Sequence, residues 1–166
     1  MDETEKKISN GVQEKQKSSL WEIFKFAIIA TLIVLPIRFW IAQPFIVSGP
    51  SMEPAFNNGD YLIIDELTYR FEAPKIGDVV VFRYPLDQSK FFIKRIEGVP
   101  EDVVKINGKD VTLQDGEYYV LGDNSTQSSD SRVWGTVSQN LLVGRALVRL
   151  WPFNKIGLFP GYAYAK

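Results

Sequence analysis

Three hydropathy regimes follow one another along the chain. Residues 1–19 are polar and mixed in charge, with Lys6, Lys7, Lys15 and Lys17 and almost no apolar content. Such a stretch cannot bury enough apolar surface to fold, and it reads as a disordered tail. From Leu20 a nearly unbroken apolar run passes through Phe24, Ile28, Ile33 and Leu35 to Phe39, Trp40 and Ala42. A span of about 20 apolar residues suffices to cross a bilayer. Residues 20–43 are therefore expected to form a transmembrane helix, with Trp21 and Trp40 at the interfaces and Arg38 extending its guanidinium to the headgroups. Pro36 is expected to kink it. An apolar surface on every side argues against a buried core helix.

Beyond Phe45 the pattern turns to short β-branched and aromatic runs: Tyr61–Ile64, Val79–Phe82, Phe91–Ile93, Val103–Ile106, Tyr118–Leu121 and Ala146–Leu150. Gly-Asp, Asn-Gly and Pro residues punctuate them, and Asn107-Gly108 is a two-residue hairpin signal. No later segment reads as a long helix. Residues 44–166 are thus expected to form one compact, mostly antiparallel β domain outside the membrane. Asp60 and Asp78, each following a glycine, read as turn residues.

Charge orients the apolar segment. Five lysines precede or open it, against Arg38 near its far end, so the N-terminus is expected in the cytoplasm and the β domain on the opposite side. A cleaved signal peptide fits less well. Ile41-Ala42-Gln43 lacks small residues where cleavage needs them, and Val47-Ser48-Gly49 is followed by Pro50. The segment reads as an uncleaved signal anchor.

Composition then narrows the chemistry. The formal net charge of -1 gives no argument for nucleic acid as a partner. The chain has no Cys and no His. Disulfides, thiol nucleophiles, Cys- or His-based metal sites and a Ser-His-Asp triad are therefore all excluded. A serine activated in this chain needs a carboxylate or an amine as its base. The reading calls for no metal and no cofactor.

Two residues stand out as candidates. Ser51 lies in Ser48-Gly49-Pro50-Ser51-Met52-Glu53-Pro54, a stretch that cannot continue a helix, and is either a linker residue or a nucleophile. Lys94 lies in a predicted strand, where it shares a face with Phe92 and Ile96. Burial there disfavours the ammonium, and holding a lysine neutral at pH 7 needs about 4 kcal/mol of differential stabilisation. The alternative is a lysine whose stem covers apolar surface while its ammonium stays in water. Arg95 points the other way and stays charged, so it cannot act as a base.

The ordered motifs Ser51-Met52-x-Pro54, Gly77-Asp78-Val79-Val80, Lys94-Arg95-Ile96-x-Gly98, Gly122-Asp123-Asn124 and Ser128-x-Asp130-Ser131-Arg132 closely resemble those of the bacterial type I signal peptidases. These are membrane-anchored Ser/Lys proteases that remove signal peptides from exported proteins. The likeness extends from Leu20 to the closing Trp151-Pro152-Phe153 stretch. It implies a transmembrane helix followed by an antiparallel β catalytic domain of signal-peptidase type. It also implies a cell-membrane location and cleavage after small residues of Ala-x-Ala type.

By the same resemblance, Ser51 is the nucleophile and its backbone N–H an oxyanion donor. Lys94 is the general base, Ser128 orients the Lys94 amine, and Asp130 and Arg132 form a supporting ion pair. Val47, Met52 and Phe92 are the expected substrate-binding residues, in a site that takes the signal peptide as an extended strand. Two departures are visible. Gly49 occupies a position where some members carry a second, serine oxyanion donor, and Ser125 stands where an arginine is frequent. The short stretch at about residues 99–117 is expected to reduce the family's variable subdomain to a small β insertion. The competing readings are another Ser/Lys protease, such as a self-cleaving repressor, and a catalytically silent membrane-tethered β module that binds exported chains.

Overall fold

The computed structural model describes residues 20–35 and 42–162, in two units divided near Phe39. The first unit contributes helix α1, residues 20–35. Its apolar side chains, among them Leu20, Phe24, Phe26 and Leu32, are exposed. Trp21 stacks on Phe24, and Lys25 Nζ lies 5.5 Å from the Trp21 ring. No helix among the described residues is long and apolar enough to cross a membrane. Of the expected span over 20–43, residues 36–41 lie outside the described residues, including Pro36, Arg38 and Trp40. Ala42 and Gln43 belong to a strand.

The second unit is built on antiparallel strands. Its strands are β1 Ala42–Ile46, β2 Tyr61–Asp65, β3 Val79–Tyr84, β4 Asp87–Gly98, β5 Val103–Ile106, β6 Lys109–Thr112, β7 Glu117–Leu121, β8 Val137–Ser138, β9 Leu142–Trp151 and β10 Gly157–Leu158. A short helix α2, Ser131–Trp134, precedes β8. The main sheet runs β1-β2-β9-β3-β4-β7-β8, with β10 added to β9. Pro44 fits β1 because that strand is at the edge, where a missing N–H costs no ladder bond. Every run read as a strand from sequence lies within one of these elements; β1, β8 and β10 have no counterpart among those runs, and β6 is expected only as the second arm of the Asn107-Gly108 hairpin.

The sheet is covered on both faces, and β3 shows why. Val79 and Val81 join one apolar cluster with Met52, Phe56, Leu62, Ile64 and Ala146. Val80 and Phe82 join a second with Ile96, Tyr118, Val120 and Val137. Successive side chains of a strand point to opposite faces, so an unbroken apolar run needs cover on both sides. Each such fully buried side chain contributes about 1.5–3 kcal/mol.

β5 and β6 form the expected hairpin over Asn107-Gly108, both in the left-handed region (φ 50° and 79°). Its tip is docked, since Asn107 N–H donates to the Arg132 carbonyl at 3.2 Å. Asp60 and Asp78 do close turns, accepting from the Asn57 and Lys75 backbone N–H groups. Both are also buried and carry long-range contacts. Asp60 pairs with Arg149 at 3.3 Å. Asp78 accepts from the hydroxyls of Tyr69 and Tyr162, which ties the C-terminal segment to the start of β3.

Candidate active site

The chain from Ser51 to Ala55 forms a turn that ends β1's excursion before β2. Phe56 N–H donates to the Met52 carbonyl at 2.8 Å. That tight winding turns Met52, Ala55 and Phe56 into the first core cluster and leaves Ser51 at the surface of the core, half-buried. Met52, expected to bind substrate, is instead fully buried and takes no part in lining the adjoining groove. Helix-like spacing places it on the inward side, opposite the serine.

Lys94 reaches this turn from β4. Its register partner is Val80, and Phe92 stands opposite Phe82, so Lys94 and Phe92 share a face as the strand period requires. Lys94 is 4% exposed. Its Nζ lies 2.6 Å from Ser51 Oγ and donates to the Ile93 carbonyl at 3.0 Å. Burial pulls the Lys94 amine down to about 8, against the opposing influence of the Asp130 and Asp123 carboxylates. The Phe92 ring, 5.6 Å from Nζ, also favours the ammonium. Desolvation outweighs these influences, because the amine has little water and no carboxylate within ion-pair distance among the described residues.

A third segment closes the site from below. After β7, Asn124 N–H donates to the Ser51 carbonyl at 3.0 Å, which fixes the Ser51 turn to the segment that follows the strand. Gly122 lies so near that a Cβ there would stand 2.5 Å from the Ser51 carbonyl oxygen and 2.2 Å from Ser128 Oγ. Ser128 is thus brought beside the Ser51 turn. The bond expected from its hydroxyl to the Lys94 amine is not made: Oγ is buried, and the group it helps to hold in its charged form is the Asp130 carboxylate. The amine is directed instead at Ser51 and the Ile93 carbonyl.

Asp130 and Arg132 are paired by two short bonds, Nε to Oδ1 and Nη2 to Oδ2, each 2.8 Å. Asp130 also caps α2 through the Arg132 N–H and accepts from the Gly122 N–H at 3.1 Å. Burial pushes its carboxyl up, but these hydrogen bonds outweigh it and hold the group below the ordinary carboxylate range. Arg132 further donates to the Ser125 carbonyl at 2.9 Å. The pair therefore ties the segment carrying Ser128 to the end of β7.

One structural pair escaped the sequence reading. Arg95, on the opposite face of β4 from Lys94, is 1% exposed and holds Asp123 with bonds of 2.8 and 2.7 Å, while also donating to the Gly77 carbonyl. A charged residue beside the candidate base carried no sequence signal of a partner 28 positions away.

From Ser51 and Lys94 a groove of about 470 Å³ runs between β1 and β4, lined by Phe45, Val47, Leu62, Val81, Phe92 and Ile93 among others. Val47 and Phe92, expected to bind substrate, are among the lining residues, and the Phe45 and Phe91 rings, also on the lining, are in edge contact at 5.5 Å. Gly49, also on the lining, has φ 87° and donates its N–H to Asn58 Oδ1 at 3.0 Å. Among the described residues, no group of three or more Asp or Glu side chains is placed to hold a metal ion.

The model of the family described as signal peptidase, peptidase S26, matches residues 20–116 and 109–151. A probable signal peptidase I-2 of Synechocystis sp. is 36% identical over 176 residues, covering 88% of this chain and 80% of its own length. Signal peptidase I of Leptolyngbya laminosa is 31% identical, covering 87% and 86%. Mitochondrial inner membrane protease subunit 1 of Schizosaccharomyces pombe is 35% identical over 119 residues, covering 68% and 76%.

Proposed function

The chain belongs to the signal peptidase family, peptidase S26, and from that premise we propose that Ser51 and Lys94 are its catalytic dyad. As a member of that family it is a serine protease that removes signal peptides. The observation that carries the dyad is the 2.6 Å contact between Ser51 Oγ and the Nζ of a buried lysine.

With the amine neutral, Ser51 Oγ–H donates to Lys94 Nζ. As Oγ attacks the scissile carbonyl carbon, its proton passes to Nζ, and the carbonyl π electrons move onto oxygen. The Ser51 N–H is the donor for that oxyanion, a role worth about 3–4 kcal/mol in other serine proteases. Gly49 N–H is engaged by Asn58 and is not counted as a second donor. Collapse of the intermediate breaks the C–N bond while the Lys94 ammonium protonates the leaving amine. Water then attacks the acyl ester, giving its proton to Lys94, and Oγ leaves and takes a proton back.

Ser128 is a positioning residue in this scheme: its buried hydroxyl, packed against Gly122 and beside the Asp130 carboxylate, limits where the amine and the nucleophile turn can go. Asp130 and Arg132 hold that hydroxyl in place. The groove receives the substrate as an extended strand, with small Ala-x-Ala-like side chains seated between Val47, Phe92 and Ile93. The apolar segment that begins at Leu20 and ends before β1 anchors the enzyme in the cell membrane as a single pass, with the N-terminus cytoplasmic and the β domain extracytoplasmic. The exposed apolar side chains of α1 support that anchoring.

The test is cleavage of a signal-peptide substrate by the full chain in detergent micelles. Ser51→Ala and Lys94→Ala are each expected to lose more than about a thousandfold in kcat, as members of one catalytic unit do. Activity retained in either variant would remove the dyad and favour a binding module.

A further inference from the structure

Next to the substrate groove lies a second cavity of about 320 Å³. The two meet at Phe91, which lines both. Their chemistries differ. The groove is largely apolar, whereas the second cavity presents Gln43, Glu66, Arg70, Arg83 and Gln139.

One buried acceptor there lacks a donor, and two exposed guanidiniums line the same cavity. Glu66 Oε1 is buried and accepts no hydrogen bond among the described residues, and burial pushes the carboxyl up despite the Arg70 charge nearby. Neither Arg70 nor Arg83 lies within ion-pair distance of a carboxylate among the described residues. Arg83 stacks at 4.8 Å on the Phe91 ring and makes a single 3.3 Å bond to the Gln88 carbonyl. A buried acceptor without a donor is unfavourable, so the cavity is prepared for a group that donates and accepts at once. A carboxylate would meet Glu66 as a like charge, and an ammonium would meet two guanidiniums. A neutral carboxamide serves both: its N–H₂ donates to Glu66 and its carbonyl accepts from an arginine.

Reach follows from strand geometry. Phe91 precedes Lys94 by three residues on β4, which is about 10 Å at about 3.3 Å per residue. A peptide lying extended from Ser51 past Phe91 delivers to the second cavity a residue about four to six positions upstream of the scissile bond.

We propose that this second cavity is a distal subsite of the substrate groove, selecting an Asn or Gln side chain through Glu66 and the Arg70–Arg83 pair. It rests on the reading that a signal peptide lies in the groove with its scissile bond at Ser51.

The experiment uses the full chain in micelles and peptides that differ only in carrying Gln, Leu, Glu or Lys at each of those upstream positions. At one position Gln is expected to exceed the other three by about fivefold in kcat/KM, chiefly through KM, as one net hydrogen bond allows. The Gln-to-Leu ratio, in which any general loss of activity cancels, should fall to near unity in Glu66→Leu and in Arg83→Met. Equal rates for all four side chains, a preference for Glu or Lys, or a ratio unchanged in both variants would overturn the subsite. Cleavage of every peptide without discrimination sinks the subsite alone; no cleavage of any peptide by the parent chain sinks the functional reading and the subsite with it.

Discussion

Gly122 stands where a side chain would collide with the nucleophile's own backbone: its Cβ would lie 2.5 Å from the Ser51 carbonyl oxygen. Contacts under 3.0 Å force something to move. Ser128 can rotate, but the Ser51 carbonyl is backbone and already bonded to Asn124 N–H. Gly122→Ala is therefore expected to shift the Ser51 turn and lower kcat by about a hundredfold, since a displacement of about 1 Å at a reacting group costs that much. Adding Ser128→Ala should recover little, because the backbone collision remains. Steady-state kinetics on both variants checks this; wild-type kcat in Gly122→Ala would contradict the geometry.

The pH dependence of hydrolysis follows from the Lys94 amine. Only its neutral form can accept the Ser51 proton, and its value of about 8 leaves most molecules charged at neutral pH. Activity should rise with pH through about 8 along a limb governed by one group. Below that limb it should fall about tenfold for each pH unit. A kcat/KM profile level from pH 5 to 9 would rule out this amine as the base.

Stability carries the same signature with a separate readout. An ordinary lysine, as in the unfolded chain, holds its proton to 10.5, while the folded chain releases it near 8. Between those values the unfolded state binds more protons, so folding stability rises with pH across that window. Below it, the folded state keeps a buried ammonium that costs up to about 3 kcal/mol. Lys94→Met is expected to be more stable than the parent at pH 7 and to lose the rise toward pH 10. Chemical denaturation at the two pH values measures this directly. An identical pH dependence in parent and variant would refute it.

Arg95 and Asp123 make a different kind of prediction. Arg95→Met leaves Asp123 and the Gly77 carbonyl without their buried donor, and losing one partner of a buried pair costs about 3–5 kcal/mol. Replacing both residues, as Arg95→Met with Asp123→Leu, should restore most of that loss, because no uncompensated charge remains. Denaturant midpoints for the single and double variants distinguish a stranded charge from simple loss of packing.

What the sequence made readable was periodicity and motif. Val79–Phe82 announced a strand buried on both faces, and the shared parity of Lys94 with Phe92 and Ile96 matches a lysine that is 4% exposed. Directions set by neighbours distant in the chain were not readable. Met52 turns inward because the 51–56 turn is wound like a helix. Arg95 does point away from Lys94, as parity requires, but its burial depends on Asp123 meeting it there. The Ser128 hydroxyl misses the amine although its segment is in place. Strands as short as β8 and β10 carry no period to detect, and their pairing depends on partners supplied by the rest of the sheet.

The position of β9 has a consequence for how the enzyme comes into being. That strand, Leu142–Trp151, is inserted between β2 and β3. The half bearing the serine and the half bearing the lysine thus join in the sheet only through a late arrival from the ribosome. Until it is threaded in, a nascent chain holds hydroxyl and amine on two unconnected β fragments. Pairings of such long sequence separation are slow to form. A chain terminated before Leu142 should therefore be proteolytically silent, and competence should switch on near the end of synthesis rather than accrue along the way.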